Sequence, residues 1–271
     1  MDTKIRYVDF PEHHRQVYEA LKGNPSLRSG VGKAMFRMIM AATSPALLAK
    51  GSSGSRSPGS WSTLNRISRY EPLEYQVPHM EAPPGDSLHS FLENLPRYEL
   101  SPKYEEVVRI VAENAELGRK TLVWTTLVRS ITTLERHLEP FGPAVVHGGT
   151  SDREDQIRRF REDDRCQVLI SNPATLGEGI SLHQVYHDAV YVGRDFLSDR
   201  FLQSLDRIHL LGLTPGTATR LIVLAARGNI SELPFGSEFD SFTVCYGGLA
   251  WARHWASLLA WRGAIWCRQD P

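Results

Sequence analysis

"QVLISNPATLGEGISL", residues 167 to 182, sets a short continuous apolar run against an Asn-Pro turn and then two glycines. An apolar run of this length that stops at a turn signal reads as a strand buried on both faces. The glycines after it let the backbone come close to another surface. The same kind of run recurs on either side, in "TLVW" (121–124), "AVVH" (144–147), "AVYV" (189–192) and "RLIVL" (220–224), with polar, helix-periodic stretches between. Strands alternating with helices imply a parallel sheet covered on both faces, so residues 101–226 read as a doubly wound α/β domain. In such sheets the loops after the carboxyl ends of the strands carry the chemistry, and here those loops begin at Thr125, His147, Ser171, Gly193 and Ala225.

Ahead of that domain, residues 12–49 read as helical, with apolar positions at Val17, Leu21, Met35, Met38, Ile39 and Leu47 and a break at "GNPS" (23–26). The stretch "KGSSGSRSPGSWS" (50–62) is Gly- and Ser-rich, and prolines at 72, 78, 83 and 84 keep the next segment irregular. The organisation expected is a helical segment (1–49), a flexible insertion or linker (50–100), the α/β lobe (101–232) and a tail (233–271). Ser101 followed by Pro102 is a helix-start signal at the head of the lobe.

Composition excludes more than it selects. The chain has 271 residues, 41% of them apolar, and 31 Lys plus Arg against 31 Asp plus Glu, so net charge gives no reason to expect a polyanion. Any nucleic-acid contact has to come from local placement. Three scattered cysteines, 166, 245 and 267, form no CxxC pair and suggest neither a disulfide framework nor a zinc site. With no signal-peptide core and no run of 18 apolar residues, the expected setting is soluble, reduced and cytoplasmic.

Two near-motifs fail on their own residues. "RSGVGKA" (28–34) lacks the first glycine of a phosphate loop, with Leu27 in its place, and lacks the hydroxyl, with Ala34 in its place. "HQVYH" spaces His183 and His187 as a zinc protease would, but Gln184 stands where the general-base Glu is needed. The Arg-rich, acid-rich stretch "DREDQIRRFREDDR" (152–165) reads as a laced helix surface that needs no ligand. "QSLDRIHLLG" (203–212) carries more, because Gln203, Asp206 and Arg207 fall at i, i+3 and i+4 and so share one helix face. A Gln, an acid and an Arg converging at a strand-end cleft can hydrogen-bond a triphosphate and counter its charge.

From about Ser101 to Glu232 the chain resembles the C-terminal RecA-like lobe of superfamily-two helicases, and within them the Swi/Snf-type double-stranded-DNA translocases. "KTLVWTT" (120–126) resembles motif IV, "LISNPATLGEGISL" (169–182) motif V and "QSLDRIHLLG" motif VI. "VVHGGTSDREDQIRRF" (145–160) is similar to the family's strand, Gly turn and Arg-bearing helix, and "GNISE" (228–232) to its exit from the lobe. The resemblance implies that ATP with Mg²⁺ lies between this lobe and an N-terminal lobe absent from these residues, and that double-stranded DNA is the track. It implies catalytic roles for Arg207 and Gln203 and nucleotide contacts at Gly177, Glu178, Gly179 and Asp206. It also implies contacts to DNA phosphates at Thr125, Gly148, Gly149 and Asn172. No metal is expected to be held by this chain itself.

The chain departs from the family pattern at the catalytic step. Leu210 stands where the family has a second motif VI arginine, and Gly193 and "FLS" (196–198) stand where relatives carry an Asp and then Trp-Asn-Pro. An arginine finger contributes roughly 10³ to 10⁵ in rate, about 4–7 kcal/mol of transition-state stabilisation. With no phosphate loop and no Mg²⁺-binding acids either, the expectation is half of a helicase-type ATPase that is inactive alone. The alternative is a non-catalytic nucleic-acid-binding or regulatory module that keeps the fold. The tail (233–271) holds four of the six tryptophans, and three origins fit it: a core element docked on the lobe, a partner-binding helix, or out-of-frame sequence.

Overall fold

The computed structural model describes residues 2–23, 31–48, 90–91, 99–173, 175–176, 186–193 and 220–228. Its centre is a six-stranded sheet: β1 (Asp2–Val8), β2 (Lys120–Trp124), β3 (Ala144–Val146), β4 (Val168–Ser171), β5 (Tyr186–Tyr191) and β6 (Arg220–Ala226). The spatial order is β1-β6-β5-β2-β4-β3, and every neighbouring pair is parallel. All five apolar runs of the lobe are strands, as their uninterrupted hydrophobicity predicts.

Register turns those runs into two flat apolar faces. Ala144, Leu169, Leu122, Ala189 and Leu221 lie in one row across the sheet, and Val145, Ile170, Val123, Val190 and Ile222 form the next row on the opposite face. Helix α5 (Arg153–Glu162) covers the first face with Ile157 and Phe160. Helices α3 (Pro102–Glu116) and α4 (Val128–His137) cover the second with Tyr104, Val107, Ile110, Val111, Ile131 and Leu134. Each fully buried Val, Leu or Ile contributes about 1.5–3 kcal/mol, so the two faces together dominate the stability of the lobe. The turn into β3 requires glycine: Gly142 has φ +57°, and a Cβ there would come within 2.5 Å of the Arg165 carbonyl oxygen.

The segment ahead of the lobe is more closely joined to it than its sequence suggests. Helices α1 (Glu12–Gly23) and α2 (Val31–Thr43) bear out the helical reading, and Gly32 and Lys33 of the failed phosphate loop lie inside α2 rather than in a loop. Residues Asp2–Val8, however, are strand and not helix, and they pair with β6 along its full length, from Asp2↔Arg220 to Val8↔Ala226. Residues 1–49 thus supply one edge of the same sheet. The apolar cluster of α1 and α2 includes Leu127 and Ala226, which follow β2 and end β6, so these helices pack at the carboxyl-end side of the sheet. Ser101 does stand before α3, but its hydroxyl makes no cap bond; it donates instead to the Thr43 carbonyl at 2.8 Å and joins α2 to the head of α3. The linker stretch 50–86, the tail 233–271 and His183 lie outside the described residues. His187 lies in β5, so it cannot pair with His183 on one helix face.

The amino-terminal end of the sheet is held by a polar row. Thr121, Asp188 and Arg220 are register neighbours on β2, β5 and β6. Arg220 grips Asp188 with Nε (2.8 Å) and Nη2, and Nη2 also reaches Asn114 Oδ1 on α3 at 2.9 Å; Asn114 Nδ2 in turn donates to Thr121 Oγ1 at 2.8 Å. The Asp188 side chain is 1% exposed and that of Arg220 36%, so the two partners are not equivalent. Removing the arginine strands a buried carboxylate, whereas removing the acid leaves a guanidinium that can turn toward water. Arg220→Met should therefore cost about 3–5 kcal/mol in urea unfolding and Asp188→Asn clearly less. Equal losses would contradict this account.

A second ion pair joins the edge strand to α3, Arg6 Nη1 to Glu106 Oε1 at 2.5 Å. Burial pushes the Glu106 carboxyl up, but hydrogen bonds from Arg109 and Arg6 outweigh it and hold the group below the usual carboxylate range. A carboxyl depressed on folding adds stability above its unfolded value, and that stability is lost as pH falls through the folded value. Arg6→Ala should therefore destabilise the protein near neutral pH, and the difference from the parent should shrink once the solution is well below about pH 4, measured as urea midpoints at the two pH values.

Candidate nucleic-acid and nucleotide interface

All six strands point the same way, so the loops after β2, β3 and β4 leave one edge of the sheet as neighbours. They do not leave in the same direction. The β2 loop leads to α4 on one face and the β3 loop to α5 on the other, with β4 between them. A crevice opens at such a divergence, and it is where open parallel sheets bind their ligands.

Thr125, Asn172 and the pair Gly148–Gly149 occupy these three loops. Thr125 is buried, its N–H donates to the Ser171 carbonyl at 3.0 Å, and its Oγ1 accepts from the Leu127 N–H at 3.3 Å. The hydroxyl thus closes a turn just ahead of α4, and the backbone N–H extends the β2–β4 ladder by one bond. Asn172 Nδ2 donates to the Thr126 carbonyl at 3.2 Å, which ties the β4 loop to the β2 loop. The Asn172 carbonyl accepts from Thr175 N–H at 3.0 Å and from Leu176 N–H at 3.4 Å, closing the turn that Asn-Pro predicts.

The loop after β3 is built around His147. Its N–H donates to Thr150 Oγ1 at 2.9 Å, its carbonyl accepts from the Thr150 N–H at 2.9 Å, and its Nδ1 accepts from the Gly149 N–H at 3.0 Å. Gly148 is exposed at the tip, and a Cβ there would meet nothing within 4 Å. Two further side chains brace the loops: Ser171, which the sequence marks only as a loop start, and Arg153, which it does not single out. Ser171 Oγ donates to the Val146 carbonyl at 2.7 Å, and Arg153 at the head of α5 donates to the Thr175 carbonyl. Neither has a sequence signal of its own, since each acts through a carbonyl brought near only by the sheet.

The structure thus brings together the four positions expected to face nucleic acid. The expected nucleotide set, Gly177, Glu178, Gly179, Gln203, Asp206 and Arg207, lies outside the described residues, as does Leu210. Gly193, at the exit of β5, is described: it lies against the end of α2, where its Cβ would touch Thr43 Oγ1 at 3.4 Å. Beside it the buried Lys103 Nζ donates to the Val192 carbonyl at 3.2 Å. The Arg-rich stretch forms α5 and is braced within itself, Arg158 to Asp155 at 2.6 Å and Gln156 to Asp152 at 2.8 Å, with Arg159 reaching the Pro143 carbonyl at 3.4 Å. No helix among the described residues is long and apolar enough to cross a membrane.

No protein-family model and no curated protein sequence matches the chain. Solved structures do. The C-terminal part of the Fun30 ATPase domain aligns with a TM-score of 0.62 over 86% of this chain and 86% of that one, at 17% identity. The SWI2/SNF2 ATPase core of Sulfolobus solfataricus, solved in complex with double-stranded DNA, aligns with a TM-score of 0.51 at 17% identity, over 97% of this chain and 46% of that one. The chain therefore shares its fold, an all-parallel RecA-like α/β lobe, with Swi/Snf-type ATPase domains.

Proposed function

We propose that this chain works as the C-terminal lobe of an ATP-dependent double-stranded-DNA translocase, and that it does not turn over ATP by itself. The observation that carries the reading is the meeting of Thr125, Gly148–Gly149 and Asn172 on three adjacent strand-end loops, in a fold shared with Swi/Snf-type ATPase domains. An exposed glycine tip such as Gly148 lets phosphate oxygens approach the backbone closely, and phosphate contacts position a protein on a duplex without reading its sequence. The DNA in the complex of the Sulfolobus relative supports the same assignment.

ATP and Mg²⁺ enter this reading only with an N-terminal lobe that supplies the phosphate loop and the metal-binding acids. Arg207 and Gln203 would then face the γ-phosphate, with Asp206 and Gly177, Glu178 and Gly179 lining the nucleotide. Leu210 weakens the catalytic side of the proposal and favours a second reading: a lobe that keeps DNA contact and has lost, or never needed, the second arginine.

Gly148→Asp separates phosphate contact from folding, because the position has room for a side chain and an ordinary negative φ. The substitution should leave the melting temperature unchanged and weaken binding to a short duplex roughly 5- to 10-fold at low salt, read by fluorescence anisotropy, with the deficit narrowing as salt rises. Unchanged affinity would remove this loop from the DNA interface. The purified chain should show background ATP turnover with or without DNA. Turnover that Arg207→Ala abolishes would overturn the claim that it cannot fire alone.

A further inference from the structure

Away from the strand-end loops, His13 and His14 at the start of α1 converge on Glu99, which lies two residues before Ser101. Both histidines present Nε2 to the same carboxylate oxygen, Oε1, His14 at 2.6 Å and His13 at 3.2 Å. One potential ligand atom from each of the three residues lies within 4.8 Å of the other two. Their exposure is graded: the His14 side chain is 1% exposed, Glu99 10% and His13 59%. The other carboxylate oxygen, Oε2, accepts from Ser44 Oγ at 3.4 Å, so Oε1 is the one left to the histidines.

Hydrogen bonding alone is a poor account of this cluster. His14 is buried, yet its Nδ1 has no partner, so the ring gives up hydration on both nitrogens for one polar contact. Two imidazole nitrogens and a carboxylate are the donor set of zinc-class divalent ions, which take three protein ligands and leave a fourth position to water. Ligands about 2.0–2.1 Å from a tetrahedral ion stand about 3.3 Å from one another. The His13–Glu99 separation already has that value. The His14–Glu99 contact has to open by about 0.7 Å, as the ion takes the place of the proton between them. The open side of the site is His13's, which gives solvent a way in.

We propose that His13, His14 and Glu99 form a binding site for one zinc-class divalent metal ion, which staples the head of α1 to the segment entering α3. The ion would bind the carboxylate and an unprotonated Nε2 of each imidazole, with each ring's proton on Nδ1. Its site is distinct from the strand-end loops and does not depend on the DNA reading. Its role is structural, because α1 packs in the cluster that includes Leu127 and Ala226 at the carboxyl-end side of the sheet.

The test uses the full chain stripped with chelator, with Co²⁺ as the spectroscopic probe and Zn²⁺ in competition. The parent protein should take up one Co²⁺ with the intense visible bands of a four- or five-coordinate ion, lose them to one equivalent of Zn²⁺, and melt at a higher temperature with Zn²⁺ than with chelator. His14→Gln risks the core, so His13→Ala is the decisive variant: its ring is largely exposed and its removal should leave the chelator-treated melting temperature unchanged. It should weaken Zn²⁺ binding at least tenfold and abolish the thermal shift. His183→Ala with His187→Ala, which removes the only other closely spaced histidine pair, should bind as the parent does. No metal uptake by the parent, binding in His13→Ala within twofold of the parent, or loss of binding in the 183/187 variant instead would each overturn the proposal.

Discussion

Parallel pairing throughout the sheet is the constraint from which the rest follows. Two parallel neighbours cannot be joined by a tight turn, so each connection has to cross a face and return, and α4 and α5 are such crossings. Those crossings cover both faces and allow strands buried on both sides, such as β2 and β4, to exist at all. The same constraint puts every carboxyl end on one side. Open parallel sheets bind ligands at that side, and the opposite side is free to be structural, which is how the Thr121–Asp188–Arg220 row is used.

The two ends of the sheet show how differently polar groups serve in one fold. At the amino end, a fork of charge-assisted hydrogen bonds is matched atom for atom and leaves little for a ligand to do. At the carboxyl end, the side chains of Thr125 and His147 spend their bonds on the backbone of their own loops, and those of Ser171 and Asn172 on the backbone beside them. They hold loop shape and leave Gly148 exposed at the tip. A site of this kind is suited to a repeating, uniformly charged partner rather than to one small molecule with a fixed outline.

Much of the lobe was legible because buried parallel strands leave the plainest trace in a sequence, a continuous apolar run closed by a turn. The five runs from "TLVW" to "RLIVL" all became strands, and "SNP" became the turn it promised. Strand β1 left no such trace. "DTKIRYV" places Lys4 and Arg6 among apolar residues, as an edge strand with a solvated face can, and its pairing partner is at the far end of the lobe. The Ser101 signal marked a helix start correctly for a reason other than the one it suggests, since its hydroxyl serves Thr43 and not α3. The His13–His14–Glu99 cluster had no spacing to read: two adjacent histidines match no ligand motif, and the carboxylate that completes them comes from the far end of the segment read as linker, 85 residues after His14. That Thr125, Gly148, Gly149 and Asn172 sit on neighbouring strand-end loops follows from strand position alone, whereas their expected role came from the resemblance to the helicase lobe.

The pairing of β1 with β6 also sets an order of events during synthesis. Residues 2–8 leave the ribosome more than 200 residues before their hydrogen-bonding partners, residues 220–226. At ordinary elongation rates that is a wait of roughly 10–40 s, far longer than the formation of a helix or the collapse of a small core. For that interval β1 is an unpaired strand, and β6's future neighbour is available to any other exposed edge. The lobe can assemble β2 to β5 in the meantime, but the described sheet is completed only when β6 slots between β5 and β1, so β1 reaches its native pairing last.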